Sequence, residues 1–210
     1  MNKKIKAIIF DMDGVLIEAK DWHYEAFNKA LELFGLTITR HEHETTYDGL
    51  PTKDKLKMLT REKGLSVKLH SFLNEMKQQY TMEMVHTLCK PQFHHEFALS
   101  KLSSENFKLA VASNSIRNTV SVMMDQAHLK QYLEFYISNE DVSKGKPDPE
   151  MYNLAIARLG FSAEECVIVE DNEHGLMAAR ASGANVLKVD SVYDVNYENI
   201  KSFIEKVEAE

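Results

Sequence analysis

Two pairs of carboxylates stand where apolar runs of the sequence end. Asp11 and Asp13 follow the run IKAIIF, and Glu170 and Asp171 stand at the end of the run CVIV. Carboxylates brought close together away from water are costly unless a cation or hydrogen bonds compensate their charge. Oxygen ligands without histidine or cysteine favour magnesium over zinc. The two pairs therefore predict a site for a divalent metal ion, with magnesium as the preferred ion, although Asp11 and Asp13 alone could equally form a solvated turn.

Two further polar segments could bind an anion. Ser113 and Asn114 end the apolar run KLAVA and precede a helical pattern, where a hydroxyl group and backbone amides can hold a phosphate oxygen. Lys146 lies between a glycine and a proline in the segment GKPDP, which restricts the loop that presents its ammonium group. A lysine there can neutralise charge on a phosphate and on an attacking carboxylate. Taken alone, Lys146 would more often be a surface lysine and Ser113 a helix cap.

Short apolar runs predict the strands that position these residues. Buried parallel strands deliver polar groups to the loops at their carboxyl ends, and each run here ends in this way. The predicted strands are Ile5–Phe10, Lys108–Ser113, Phe135–Ser138, Cys166–Val169 and Asn185–Val189. The helical patterns between them are Ile116–Ala127, Pro149–Leu159 and Gly175–Ser182. The alternation predicts an α/β fold with a Rossmann-like, doubly wound parallel sheet, which binds ligands at the carboxyl ends of its strands.

One segment interrupts this alternation. From about Lys20 to about Leu88 the sequence shows helical patterns only, at Trp22–Phe34, Lys53–Lys63 and Val67–Leu88. We therefore predict an α-helical cap domain at residues 18–88, inserted into an α/β core domain of residues 1–17 and 89–210. Because the insertion begins directly after the first acidic loop, we expect two crossings of the chain to hinge it over the strand ends as a lid.

Composition and charge narrow the class of partner. The chain has 210 residues, with 25 Lys and Arg against 32 Asp and Glu, which gives a formal net charge of -7. This sign disfavours nucleic acid and anionic membranes as partners, so we expect a small molecule. The first apolar run is too short to span a bilayer, which favours a cytoplasmic protein. Cys89 and Cys166 have no paired spacing, so we expect two free thiols, and a monomer is the simplest expectation.

The segments DMDGVL, SN, GKPDPE and VEDNEHG resemble, in order and spacing, the four motifs of the haloacid dehalogenase superfamily. The helical insertion after the first motif is similar to the cap of the subfamily that contains phosphoglycolate phosphatase and β-phosphoglucomutase. The resemblance extends over nearly the whole chain, and four motifs in order are much more specific than one. It implies a magnesium-dependent enzyme that acts on a small phosphorylated metabolite.

The resemblance also implies a role for each motif residue. Asp11 would attack phosphorus to form an aspartyl phosphate, while Asp13 would protonate the leaving oxygen and later deprotonate the attacking water. The phosphate would be bound by Ser113, the amide of Asn114 and Lys146. Magnesium would be held by Asp11, the backbone carbonyl of Asp13 and Asp171, with Glu170 nearby or acting through water. The dehalogenases of the superfamily lack an acid at the place of Asp13, which disfavours dehalogenation.

Substrate choice is expected to depend on the cap. The candidate specificity residues are Glu18, His23 and Lys53. Sugar phosphomutases of this subfamily carry an arginine after the glycine of a cap turn, and here Thr52 stands in its place, with Lys53 next. This favours a phosphomonoester hydrolase acting on a sugar phosphate or a similar metabolite. Two alternatives remain: a β-phosphoglucomutase-like enzyme in which Lys53 replaces the arginine, and an inactive binding protein, which is disfavoured because no motif residue is missing.

Overall fold

A parallel five-stranded sheet forms the centre of the α/β part of the chain, in a computed structural model that describes residues 4–209. The strands are β1 (Ala7–Phe10), β2 (Lys108–Ala112), β3 (Phe135–Ile137), β4 (Cys166–Glu170) and β5 (Asn185–Lys188). Their order is β3-β2-β1-β4-β5, so β1 is the central strand and later strands lie on both sides of it. This order confirms the predicted doubly wound α/β fold.

The register of the central strands fixes where their polar ends meet. Phe10, the last residue of β1, lies opposite Val111 of β2 and Val169 of β4. The amide of Asp11 continues the ladder and donates to the carbonyl of Val169 at 3.0 Å. Since parallel strands end at the same edge of a sheet, the residues that follow β1, β2 and β4 are brought together there.

Residues Ala19–Cys89 form a separate helical unit. Its helices are α1 (Lys20–Glu32), α2 (Arg40–Glu42), α3 (Thr52–Lys63) and α4 (His70–Leu88). A π-helical stretch, His43–Tyr47, follows α2, and a 3-10 turn, Val67–Leu69, precedes α4. The predicted helical patterns are confirmed, and the unit has its own apolar core, which includes Phe27, Leu31, Leu56, Leu59 and Leu73.

The sheet unit ends at Glu18 and resumes at Lys90. Its helices are α5 (Phe93–Ser104), α6 (Arg117–Gln126), α7 (Glu150–Leu159), α8 (Glu173–Ala181) and α9 (Tyr197–Ala209). The three helices predicted here are confirmed with ends within two residues, whereas α5 and α9 were not predicted. Alternate residues of β1 and β4, among them Ile9 and Ile168, pack with α7 and α8 in one apolar core.

Two further expectations can be compared with the structure. Cys89 and Cys166 are both buried free thiols, as predicted. Within residues 4–209, no helix combines the length and the apolar character needed to cross a membrane.

Candidate active site

The loop after β1 turns sharply and presents two carboxylates. The amide of Gly14 donates to the carbonyl of Ile17 at 2.7 Å, and the amide of Ile17 donates to the carbonyl of Met12 at 2.9 Å. Gly14 has a φ of 88°, in the left-handed region that favours glycine. Asp11 is only 5% exposed, and Asp13 is half-buried. The strand thus delivers one carboxylate into the interior and a second one just beyond it.

Lys146 connects two of the predicted acidic residues. Its Nζ donates to Oδ1 of Asp11 at 2.6 Å and to Oε1 of Glu170 at 2.8 Å, and the residue is only 4% exposed. Burial alone would lower the pKa of Lys146, but the attraction of Asp11 and Glu170 raises it above its usual value. The ammonium group therefore stays charged, and it is aimed at the carboxylate of Asp11.

The side chain of Asn114 supports the loop that carries Lys146. Asn114 Oδ1 accepts a hydrogen bond from the amide of Lys146 at 3.0 Å, and its Nδ2 donates to the carbonyl of the same residue at 3.3 Å. A β-carbon on Gly145 would lie 2.6 Å from Asn114 Oδ1, so glycine permits this approach. The side chain of Asn114 therefore positions the loop that carries Lys146, a role that the sequence did not predict.

Glu170 is fully buried at the end of β4, and protein donors occupy both of its carboxylate oxygens. Oε1 accepts from Lys146 and from the hydroxyl of Tyr152 at 3.0 Å. Oε2 accepts from the backbone amides of Asp171 and Asn172, at 2.8 and 3.1 Å. A β-carbon on Gly175 would overlap Oε1 and lie 2.5 Å from Oε2. Glu170 is therefore held in one orientation.

Three of the predicted acidic residues form a cluster that fits a metal ion. Carboxylate oxygens of Asp11, Glu170 and Asp171 all lie within 4.8 Å of one another. Burial raises the pKa of Asp11 well above its usual range; Lys146 opposes this increase, and the neighbouring carboxylates add to it. A set of hard oxygen donors with more negative than positive charge suits a divalent cation such as magnesium.

Ser113 and Ser115 lie between β2 and α6. Ser113 is buried, and its Oγ accepts a hydrogen bond from the amide of Ser115 at 3.0 Å. The hydroxyl of Ser115 donates to Oδ2 of Asp13 at 3.0 Å. The loop after β2 therefore contacts the acidic loop after β1 through Ser115, which the sequence analysis did not single out.

The predicted specificity residues are divided between the two units. Glu18 is the last residue of the sheet unit and is exposed. In the helical unit, Nδ1 of His23 lies 3.1 Å from Nζ of Lys77. Lys53 is exposed on α3, and Thr52 is the first residue of that helix.

Lys77 was missed, although the sequence holds a signal for it. It lies on the buried face of α4 with Leu73, Thr81 and Val85, each four residues from the next. A lysine in such a row departs from the apolar pattern of a core-facing helix, which marks it for attention. Tyr152 has no comparable signal, because a tyrosine in the amphipathic pattern of α7 is typical of a core residue.

Comparisons with known proteins show the family to which the chain belongs. Residues 8–189 match the family model described as haloacid dehalogenase-like hydrolase. The phosphorylated carbohydrates phosphatase of Thermotoga maritima is 28% identical over 179 residues, which cover 85% of this chain and 82% of that protein. The β-phosphoglucomutase of Bacillus subtilis is 26% identical, with 85% of this chain and 80% of that protein covered.

A solved structure has the same fold. The β-phosphoglucomutase of Clostridium difficile superposes with a TM-score of 0.85 at 21% identity, covering 98% of this chain and 100% of that one. At this identity the match shows the fold alone. The family match covers most of the chain, and it confirms the resemblance that the four motifs indicate. The chain belongs to the family of haloacid dehalogenase-like hydrolases.

Proposed function

We propose that the protein is a magnesium-dependent phosphomonoester hydrolase, which acts on a small phosphorylated metabolite through an aspartyl phosphate on Asp11. The observation that carries this proposal is the buried contact of Lys146 with Asp11 at 2.6 Å, beside further carboxylates at the carboxyl edge of the sheet. Supporting the substrate class, a relative from Thermotoga maritima is named a phosphorylated carbohydrates phosphatase.

Asp11 and Asp13 divide the work of the reaction. The Asp11 carboxylate attacks phosphorus, and the bond from phosphorus to the leaving oxygen breaks as the bond to Asp11 forms. Asp13 gives its proton to that leaving oxygen. It then takes a proton from the water that hydrolyses the aspartyl phosphate, which restores both groups. The hydrogen bond from Ser115 to Oδ2 of Asp13 orients this carboxyl group.

Charge is neutralised by groups of the chain and by the metal. Lys146 holds the Asp11 carboxylate and can bind a phosphoryl oxygen, with further contacts from Ser113 and the amide of Asn114. A bound magnesium ion would supply charge neutralisation for the carboxylates and the phosphoryl group. Its proposed ligands are Asp11, Asp171 and the backbone carbonyl of Asp13, with Glu170 beside them.

The helical unit is proposed to select the substrate as a cap. His23 and Lys77 form a basic pair within it, and they could bind hydroxyl or anionic groups of a sugar phosphate. Glu18 and Lys53 are the other proposed specificity residues. This part of the proposal gains support from the placement of Lys77 on the buried face of α4, where its ammonium group meets an imidazole.

The test is release of inorganic phosphate from a panel of phosphorylated sugars, phosphoglycolate and nucleotides, with magnesium and then with excess chelator. We expect magnesium-dependent release that is concentrated on one class of substrate. The variant Asp11→Asn should fold normally by circular dichroism and release no phosphate. Unchanged turnover in this variant would exclude Asp11 as the nucleophile.

A phosphomutase is the second candidate. It is favoured by the sequence relative from Bacillus subtilis that is named β-phosphoglucomutase. The mutase activity is disfavoured by Thr52 at the start of α3, which stands at the place of the arginine expected in a mutase of this subfamily. Isomerisation of a sugar phosphate that needs a bisphosphate primer, without phosphate release, would identify the mutase.

A further inference from the structure

Tyr152 of α7 contacts two residues of the acidic cluster. It is fully buried, and its hydroxyl donates to Oε1 of Glu170 at 3.0 Å. The centre of its ring lies 4.6 Å from Nζ of Lys146, within the range of a cation–π contact. One side chain thus touches both the carboxylate and the ammonium group that contacts the nucleophile.

The hydroxyl of Tyr152 completes the hydrogen bonding of Glu170. A carboxylate offers about four lone-pair positions on its two oxygens. Oε1 accepts from Lys146 and Tyr152, and Oε2 accepts from the amides of Asp171 and Asn172. Protein donors therefore match the full acceptor capacity of Glu170. A direct bond to a metal ion would have to displace one of these donors.

Glu170 also has no room to turn toward another partner. The backbone of Gly175, in the first turn of α8, lies against the carboxylate so closely that a β-carbon there would overlap it. Lys146 and Tyr152 contact the same Oε1 atom that this β-carbon would overlap. The carboxylate is thus confined by the start of α8 and by the groups that donate to it.

We propose that Tyr152 is a positioning residue, whose hydroxyl fixes Glu170 as the anchor of Lys146 rather than as a metal ligand. Through Glu170, it holds the ammonium group of Lys146 against Asp11. The metal ion is then left to Asp11, Asp171 and the carbonyl of Asp13. The kinetic part of this inference rests on the proposed phosphatase function, whereas the hydrogen-bond arrangement does not. The alternative is that Tyr152 only fills the apolar core between α7 and the sheet.

The first test compares Tyr152→Phe with a matched control in the full-length chain. Tyr152→Phe keeps the ring and removes only the donor to Glu170. The control is Tyr197→Phe, because the Tyr197 hydroxyl donates to Glu105, which also accepts from Lys201 at 3.0 Å. This second site therefore also has a glutamate that accepts hydrogen bonds from a tyrosine and a lysine. Glu105 precedes β2, at the amino edge of the sheet, and so lies outside the acidic cluster.

Kinetics with p-nitrophenyl phosphate should separate positioning from packing. We expect Tyr152→Phe to lower kcat about tenfold with KM changed less than twofold, because Lys146 loses its fixed direction toward Asp11, a loss of about 1.4 kcal/mol in the barrier. Tyr197→Phe should leave both constants unchanged. Equal kcat values for Tyr152→Phe and the wild type would overturn the proposal.

Two measurements on the protein without substrate test the same proposal independently of activity. In protein with 15N-labelled lysine, the NMR signal of the Lys146 ammonium group, assigned with Lys146→Met, should shift or broaden in Tyr152→Phe but not in Tyr197→Phe. The dissociation constant of magnesium, measured by calorimetry, should not rise more than twofold in either variant.

The result that would overturn the anchor role is a Lys146 signal that Tyr152→Phe leaves in place. Magnesium binding that weakens about tenfold in this variant would also overturn it, because Tyr152 would then be orienting Glu170 as a ligand of the metal ion. Should the wild type release no phosphate from any substrate, the proposed function fails, while the NMR and calorimetric results still decide the role of Tyr152.

Discussion

Replacing Gly175 by alanine sets two physical effects against each other. Gly175 lies in the first turn of α8, and its φ is not in the left-handed region, so alanine suits the backbone. Helix propensity alone predicts a gain of up to about 1 kcal/mol in stability. Packing predicts a loss, because the new methyl group would overlap the carboxylate of Glu170.

The size of the loss follows from the contacts of Glu170. Its carboxylate must leave its place, or the start of α8 must move away from the sheet. Either movement disturbs the buried ion pair with Lys146, which is 2.8 Å long. Breaking a buried pair typically costs about 3–5 kcal/mol, so we expect Gly175→Ala to be less stable by about 2–4 kcal/mol after the gain in propensity.

Urea unfolding of the metal-free protein in the presence of a chelator measures this difference without any dependence on activity. The matched control is Gly160→Ala at the end of α7, where φ is 75° and nothing lies within 4 Å of a new β-carbon. That variant should lose only about 1–2 kcal/mol, from the left-handed backbone. If Gly175→Ala proves as stable as the wild type, Glu170 is not confined as described.

Three further outcomes are expected. Ser115→Ala removes the hydroxyl that donates to Asp13. The kcat for p-nitrophenyl phosphate should fall, while the free energy of unfolding in urea should change by less than about 1.5 kcal/mol. An unchanged kcat would refute the orienting role of Ser115. Burial lowers the pKa of His95 from 6.5 to about 4, because the folded protein disfavours the charged imidazole. The stability that neutral His95 contributes is therefore fully present above pH 6.5 and is lost as the pH falls toward 4. Between pH 7 and pH 5 the wild type should therefore lose roughly 2 kcal/mol more than His95→Phe, and equal losses would contradict this assignment. Lys77→Met replaces a buried ammonium group by an apolar side chain of similar length. Thermal unfolding should show equal or higher stability, and kcat/KM for the best substrate of the panel should change. A large destabilisation would mean that Lys77 is structurally required.

The strands were predictable because a buried parallel strand needs apolar residues on both faces. The segments AIIF and CVIV satisfy this need, and their polar successors mark the edge of the sheet. The helix α5 was not predicted because its pattern is misleading: Phe93 is 82% exposed, whereas His95 is buried. The helix α9 was predictable by the usual rule, because its apolar residues recur every three or four positions and Ile200 and Ile204 are buried; the set is Tyr197, Ile200, Phe203, Ile204 and Val207.

The motif residues were predictable because each motif is local, and the sheet then places the motifs side by side. Residues that act across the fold were not. Ser115 contacts Asp13 over a separation of 102 residues, and a serine in its place is typical of a helix start. Tyr152 reaches Glu170 from a helix whose spacing predicts only a core face. Their roles depend on which loops meet, which the strand order decides.

The strand order has a consequence for synthesis of the chain on the ribosome. The central strand β1 is made before the other four strands, and its neighbour β4 begins only at Cys166. At about 5–20 residues per second, roughly 8–30 s pass between the two, during which β1 lacks one partner. The helical unit Ala19–Cys89 is continuous in sequence and can fold in that interval. The nascent protein would therefore carry a folded insertion long before its acidic cluster is assembled, and the apolar strand β1 would depend on β2 or a chaperone for cover.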